Sequence, residues 1–167
     1  MVDQLMASDD DESRYIALVE RFRQFGCGNA EGWARSEIDE NIPQLARFVF
    51  LRQLWNLVIT PEAPRRLNDY AGPNDDGRGG ALRRIKECGV ASNDLLTIVR
   101  EAQIDVIREV ASILDELNTL DSQYDGIRWG LFEIDDNDCP TRPIDCLHES
   151  VDDEDVIPRP QDRRTNG

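Results

Sequence analysis

The sequence predicts a mainly α protein: a single-domain helical bundle of about 4–5 helices around a long central helix, residues 92–117, closed by a small C-terminal β-hairpin. Three observations predict it: one long apolar stripe at helical spacing, further apolar segments cut by glycine and proline, and one stretch near the C-terminus that alternates instead.

The long stripe comes first. In Ser92–Leu117 the residues Leu95, Val99, Ala102, Val106, Val110, Ile113 and Leu117 recur at steps of four and three, with Thr97, Glu101, Asp105, Arg108, Ser112 and Asp115 opposite. That period holds for about seven turns and belongs to an amphipathic helix. A second apolar row, Leu96, Ile98, Ile107, Ala111 and Leu114, widens the stripe beyond a coiled-coil seam. Such a helix spans roughly 35–40 Å, the width of a small domain, and serves as a strut.

The other helices follow in chain order. Residues 1–12 hold five acids and no base and are expected to be a flexible arm. The acids Asp9–Glu12 then suit a helix start, where unpaired amides favour negative charge. Tyr15, Leu18, Phe22 and Phe25, flanked by Ile16 and Val19, predict a helix over 11–25. Gly26-Cys27-Gly28 stops it. Asn29 caps a short second helix holding Trp33 and Ile38. Pro43 opens a third, Leu45–Ile59, which is apolar almost all round. Burial by neighbouring helices, or by a second copy in a homodimer, is the expected consequence. The subset Phe48–Leu51 also suits a buried strand, but length and the proline start favour helix.

Residues 60–80 are rich in proline and glycine and predict a long loop, a type often functional. Ala81–Cys88 follows as a short helix ended by Gly89, and Ser92 is the expected N-cap of the strut. Beyond it, Ile127, Trp129 and Leu131 alternate with Arg128, Gly130 and Phe132 and predict a strand. Asp135–Asp138 is a turn, and Cys139–Val151 the return, confined to an edge by Pro140 and Pro143. Because a two-stranded hairpin is marginal alone, Trp129 and Phe132 are expected to pin it to the bundle. The domain so defined covers residues 13–151, and residues 152–167 are expected to be a disordered acidic, proline- and arginine-rich tail.

Charge is the strongest global feature. The 167 residues carry a net charge of −15, concentrated at the two ends: −5 over residues 1–12 and −8 over 121–167. Such a surface repels phosphate backbones and anionic lipid, so neither nucleic acid nor membrane is an expected partner. No stretch approaches the ~20 apolar residues of a membrane span. The start of the chain lacks a secretory pattern, which makes the cytoplasm the expected location.

Each candidate site has a simpler alternative. Cys139, Cys146 and His148 offer three soft ligands for a structural zinc, but the tight Cys-x-x-Cys spacing of such sites is missing. Cys146 and His148 also suit a nucleophile and base, though nothing marks an oxyanion hole. Cys27, between two glycines, reads as the most open and reactive thiol. Asp135–Asp138 fails the calcium-loop pattern, since the sixth and twelfth positions are Pro140 and Cys146. Arg78, Gly79, Gly80, Arg83 and Arg84 form a candidate anion site at a helix start, for a small enzyme or a binding domain for anionic ligands. Neither the Walker nor the dinucleotide glycine pattern is present, and no cofactor is expected. The leading expectation is a non-enzymatic inhibitor, immunity-type or adaptor protein that captures a basic partner through Asp135, Asp136, Asp138 and Glu149.

Overall fold

The computed structural model describes residues 2–60, 77–115 and 129–158, with side chains from residue 10 on except that of residue 78. The expected end of the strut at Leu117, most of the 60–80 loop, Ile127 and Arg128, and the tail from residue 159 lie outside the described residues. Six helices and two strands occur among them: α1 Val2–Gln24, α2 Ala30–Glu40, α3 Gln44–Leu57, α4 Arg78–Glu87, α5 Ser92–Asp115, β1 Leu131–Ile134, β2 Pro140–Ile144 and α6 Leu147–Ser150. The protein is mainly helical with one antiparallel hairpin. It folds as two compact units, residues 1–56 with 108–167, and residues 57–107.

The first unit is built on an aromatic cluster. Leu18, Val19 and Phe22 of α1 turn inward, while Ile16 and Phe25 are exposed. Phe22, Trp33 of α2 and Phe48 of α3 meet with ring centroids 5.5–6.0 Å apart, two of the pairs edge-on, the arrangement aromatic quadrupoles prefer. Gly26 ends α1 with φ +77, and the Cys27 and Gly26 amides donate to the Phe22 and Arg23 carbonyls, a Schellman stop. Asn29 caps α2 by accepting the Gly32 amide. The third apolar segment is a helix, not a strand, and buries Phe48, Leu51 and Trp55 within this unit.

Several expectations are corrected here. The acidic arm is helical backbone, because α1 begins at Val2 rather than near Asp11. The return strand stops at Ile144, and residues 147–150 form a helical turn instead. The expected tail is part of the core as far as Pro158: Val156 is fully buried, as is Leu147, and Val151 nearly so. Three hydrogen bonds explain why an acidic stretch is held. Trp55 Nε1 donates to the Val151 carbonyl at 2.7 Å, and the buried Arg52 donates to the carbonyls of Asp155 and Val156. The Asp155 carboxylate accepts the Asn29 amide and Trp33 Nε1. Composition flagged this segment as polar, whereas its few apolar residues and its backbone carbonyls decide its place.

In the second unit α4 and α5 form a helical hairpin. Gly89, φ +78, ends α4 in a second Schellman stop, with the Val90 and Gly89 amides donating to Ile85 and Lys86. The Leu95 amide donates to Ala91, so Ala91 and not Ser92 takes the N-cap position. Val58, Leu82, Leu96, Ile104 and Ile107 are buried. The chain after α3 is fixed by polar contacts, Ile59 N–H to Gln103 Oε1 at 2.7 Å and Arg100 Nη1 to the Ile59 carbonyl at 2.8 Å. The strut buries three of the five residues of its second apolar row, and Ile98 of that row is exposed. Along α5 it is Leu96, Ile107 and Ala111, with Ile104, that are covered, while Val106 and Ile113 of the main row stand exposed with Ile98.

Candidate protein-binding surface

The hairpin brings most of the predicted partner residues together. Its inner face is Leu131, Glu133, Arg142 and the buried Ile144, with Leu131 opposite Ile144 and Phe132 opposite Pro143. Arg142 lies at the centre of its attachment. It donates to Glu133 at 2.7 Å, to Glu37 Oε1 at 2.9 Å and to the Ile42 carbonyl at 3.4 Å. Glu37, only 2 % exposed, accepts the Leu45 amide on its other oxygen and has Arg14 at 3.6 Å. A buried carboxylate survives only when paired and hydrogen-bonded in this way. Burial opposes the charge on Arg142, but its bonds to Glu133 and Glu37 win and raise its pKa above the ordinary value. Trp129 anchors the strand's approach by donating Nε1 to the Ile113 carbonyl at 3.0 Å.

The tip is a closed turn. Asp135 Oδ1 accepts the amides of Asn137 and Cys139 at 2.8 and 3.0 Å. Its backbone exchanges bonds with Cys139 and Asp138 as well. These amide donors, Cys139 first, hold the Asp135 carboxyl below the usual carboxylate range. Asp138 sits in the left-handed region, φ +59, which aspartate tolerates better than most residues. Asp135, Asp136 and Asp138 are all exposed on this fixed loop. Glu149, the fourth predicted residue, is exposed on α6, which follows the end of β2 remote from the turn. The structure therefore joins three of the four acids.

Phe132 does not pin the hairpin. It points outward, 45 % exposed, with Ile134 beside it at 62 %. Its ring lies over Gly130, where a Cβ would come within 2.9 Å of a ring carbon. The expectation that Phe132 fastens the hairpin to the bundle is thereby corrected. The alternation itself, with Leu131 and Glu133 on one side, places Phe132 and Ile134 on the other.

The remaining candidates separate. Among the described residues, no three of the Cys, His, Asp or Glu side chains gather where a metal ion would fit, so Cys139, Cys146 and His148 do not assemble the zinc site weighed as an alternative. His148 instead faces Asp115, its amide and Nδ1 lying 2.6 and 2.7 Å from the same carboxylate oxygen. Cys146 is pushed up in pKa by burial and then by Asp145, Glu149 and Asp115, the opposite of what a thiolate nucleophile needs. Cys27 is 7 % exposed and its thiol is pushed up to about 11, chiefly by burial, so the open-thiol expectation is also reversed. Gly79 and Gly80 lie in the first turn of α4, which starts at Arg78 rather than Ala81. Arg83 and Arg84 follow one turn later and are exposed.

Comparison with protein-family models, with curated proteins and with solved structures finds no match. No helix among the described residues is long and apolar enough to cross a membrane.

Proposed function

We propose that the protein is a non-enzymatic protein-binding module, of the inhibitor, immunity or adaptor kind, that captures a basic partner. One observation carries the reading: three exposed carboxylates held on a hydrogen-bonded turn at the tip of a hairpin that is itself fastened by a partly buried ion network. Residues 129–158 contain ten acids and one base, Arg142, and that base is engaged inward. Such a surface raises encounter rates with cationic proteins, and its rigidity limits the ordering cost of binding.

The test is capture from native lysate at low and high salt, with wild type and the Asp136→Asn/Asp138→Asn variant side by side. Asp135 is left intact because it holds the turn. The reading expects a basic protein that wild type retains at low salt and that both high salt and the variant release. Retention of the same proteins by the variant would refute it.

A further inference from the structure

The acidic tip explains attraction but not recognition, and the hairpin carries a second feature. Two large apolar side chains, Phe132 and Ile134, face outward on β1 while Leu131 and Glu133 take the inner face. A solvated hairpin face ordinarily carries polar residues, with the apolar set turned inward. Pro143, directly across from Phe132 and exposed, extends the apolar area onto β2. Close approach of the Phe132 ring to Gly130 gives that ring a fixed resting place. Asp135, Asp136 and Asp138 border this area at one end and Asp145, also exposed, at the other. An apolar centre with an aromatic residue and a charged rim is the layout of a protein-binding hot spot.

We infer that the outward face of the hairpin, Phe132, Ile134 and Pro143, is a docking surface whose occupant is a lysine- or arginine-rich protein segment bearing a large apolar anchor. Charge complementarity selects this occupant. Asp135, Asp136, Asp138 and Asp145 border the face, and the one basic residue of the hairpin points inward to Glu133 and Glu37. A purely apolar segment leaves the rim uncompensated, and a purely cationic one leaves the Phe132 and Ile134 surface wet. The inference rests on the proposed capture of a basic partner and adds what makes the capture selective.

Two synthetic peptides of equal length and charge test it, one alternating lysine with serine, the other lysine with leucine. Wild type is expected to bind the lysine–leucine peptide at least about tenfold more tightly, the loss typical of truncating one hot-spot side chain. Phe132→Ser is expected to abolish that preference and leave the weaker, salt-sensitive binding of both peptides. Ile134→Thr, which keeps a β-branched residue in the strand, is the second variant and is expected to act in the same direction. Circular dichroism checks that each variant is folded. A preference that survives both substitutions, or that is lost instead on Ile98→Ser in α5, overturns the docking face while leaving acidic capture intact. Unchanged binding of both peptides by Asp136→Asn/Asp138→Asn overturns the capture itself. A concentration-dependent dimer that Phe132→Ser dissociates would assign the face to a second copy of this chain, and so would overturn the named occupant.

Discussion

The buried thiol of Cys27 gives the sharpest quantitative expectation. Its pKa rises from 9.0 to about 11 on folding, burial being the main cause, with the fields of Asp155 and Asp153 adding to it against the Asn29 backbone bond and Arg52. The native state therefore keeps its proton where the unfolded chain releases it. The resulting stability is fully present below pH 9 and is lost as pH rises from 9 to 11. A two-unit shift is worth about 2.7 kcal/mol in all, and about half of that, ~1.4 kcal/mol, is gone at pH 10. Urea unfolding at pH 7 and pH 10, in wild type and in Cys27→Ala, isolates the effect. The variant loses some packing at both pH values, but the fall between them should be smaller by ~1.4 kcal/mol. A thiol reagent supplies an independent readout: the exposed Cys88 and Cys139 react at once and Cys27 only as fast as the chain opens. Equal pH dependence of the two proteins, or prompt labelling of Cys27 in the native state, would refute the reasoning.

Three further expectations follow from the same packing. Val156→Ala removes two carbons from a fully buried site and should cost about 2 kcal/mol, read from the urea midpoint; a neutral result would mean that residues 152–158 are not part of the core. Glu37→Gln removes the charge facing Arg142 and should destabilise by roughly 1–3 kcal/mol, with a change in Trp129 fluorescence as the hairpin loosens. Asp135→Ala should speed hydrogen exchange at the Asn137 and Cys139 amides; in wild type their protection should persist in acid until pH falls below the usual carboxylate range, because the folded pKa is lowered.

How much of this was legible depends on which interactions are local. Glycine stops at Gly26 and Gly89, the Asn29 cap and the Asp135–Asp138 turn are set by neighbours within a few residues, and the sequence states them directly. The helical class follows from the same short-range periodicity. The face that α5 buries does not, because two apolar rows compete and only packing chooses; Ile104, in neither row, is among the buried residues. The placement of residues 152–158 was illegible for a related reason. Arg52 holds them through the backbone carbonyls of Asp155 and Val156, about a hundred residues away, with Trp55 holding the adjoining Val151 carbonyl, and a carbonyl leaves no mark in composition. For the site, alternation located the strand and the acids located its tip. The role of Arg142 was missed because its partner Glu37 is 105 positions distant.

Net charge alone overstates what this surface offers a partner, because its acids divide by the work their oxygens do in the fold. Glu133 is bound to Arg142, Asp152 to Arg108, and Asp155 to Asn29 and Trp33, whereas Asp136 and Asp138 stand exposed on a turn that Asp135 closes. The division predicts opposite outcomes for equal changes in charge. Asp136→Asn/Asp138→Asn removes two charges and should leave the urea midpoint within about 0.5 kcal/mol of wild type, since asparagine also accepts the left-handed conformation at position 138. Its effect belongs on the association rate of a cationic ligand and on the salt dependence of that rate. Asp155→Asn removes one charge yet should cost about 1 kcal/mol, because an amide cannot accept both the Asn29 amide and Trp33 Nε1 on its two ends. Its association rate should move less than that of the double variant. Were the two variants to reduce stability equally and binding in proportion to charge removed, the acids would act as an undifferentiated cloud and the tip would hold no special place.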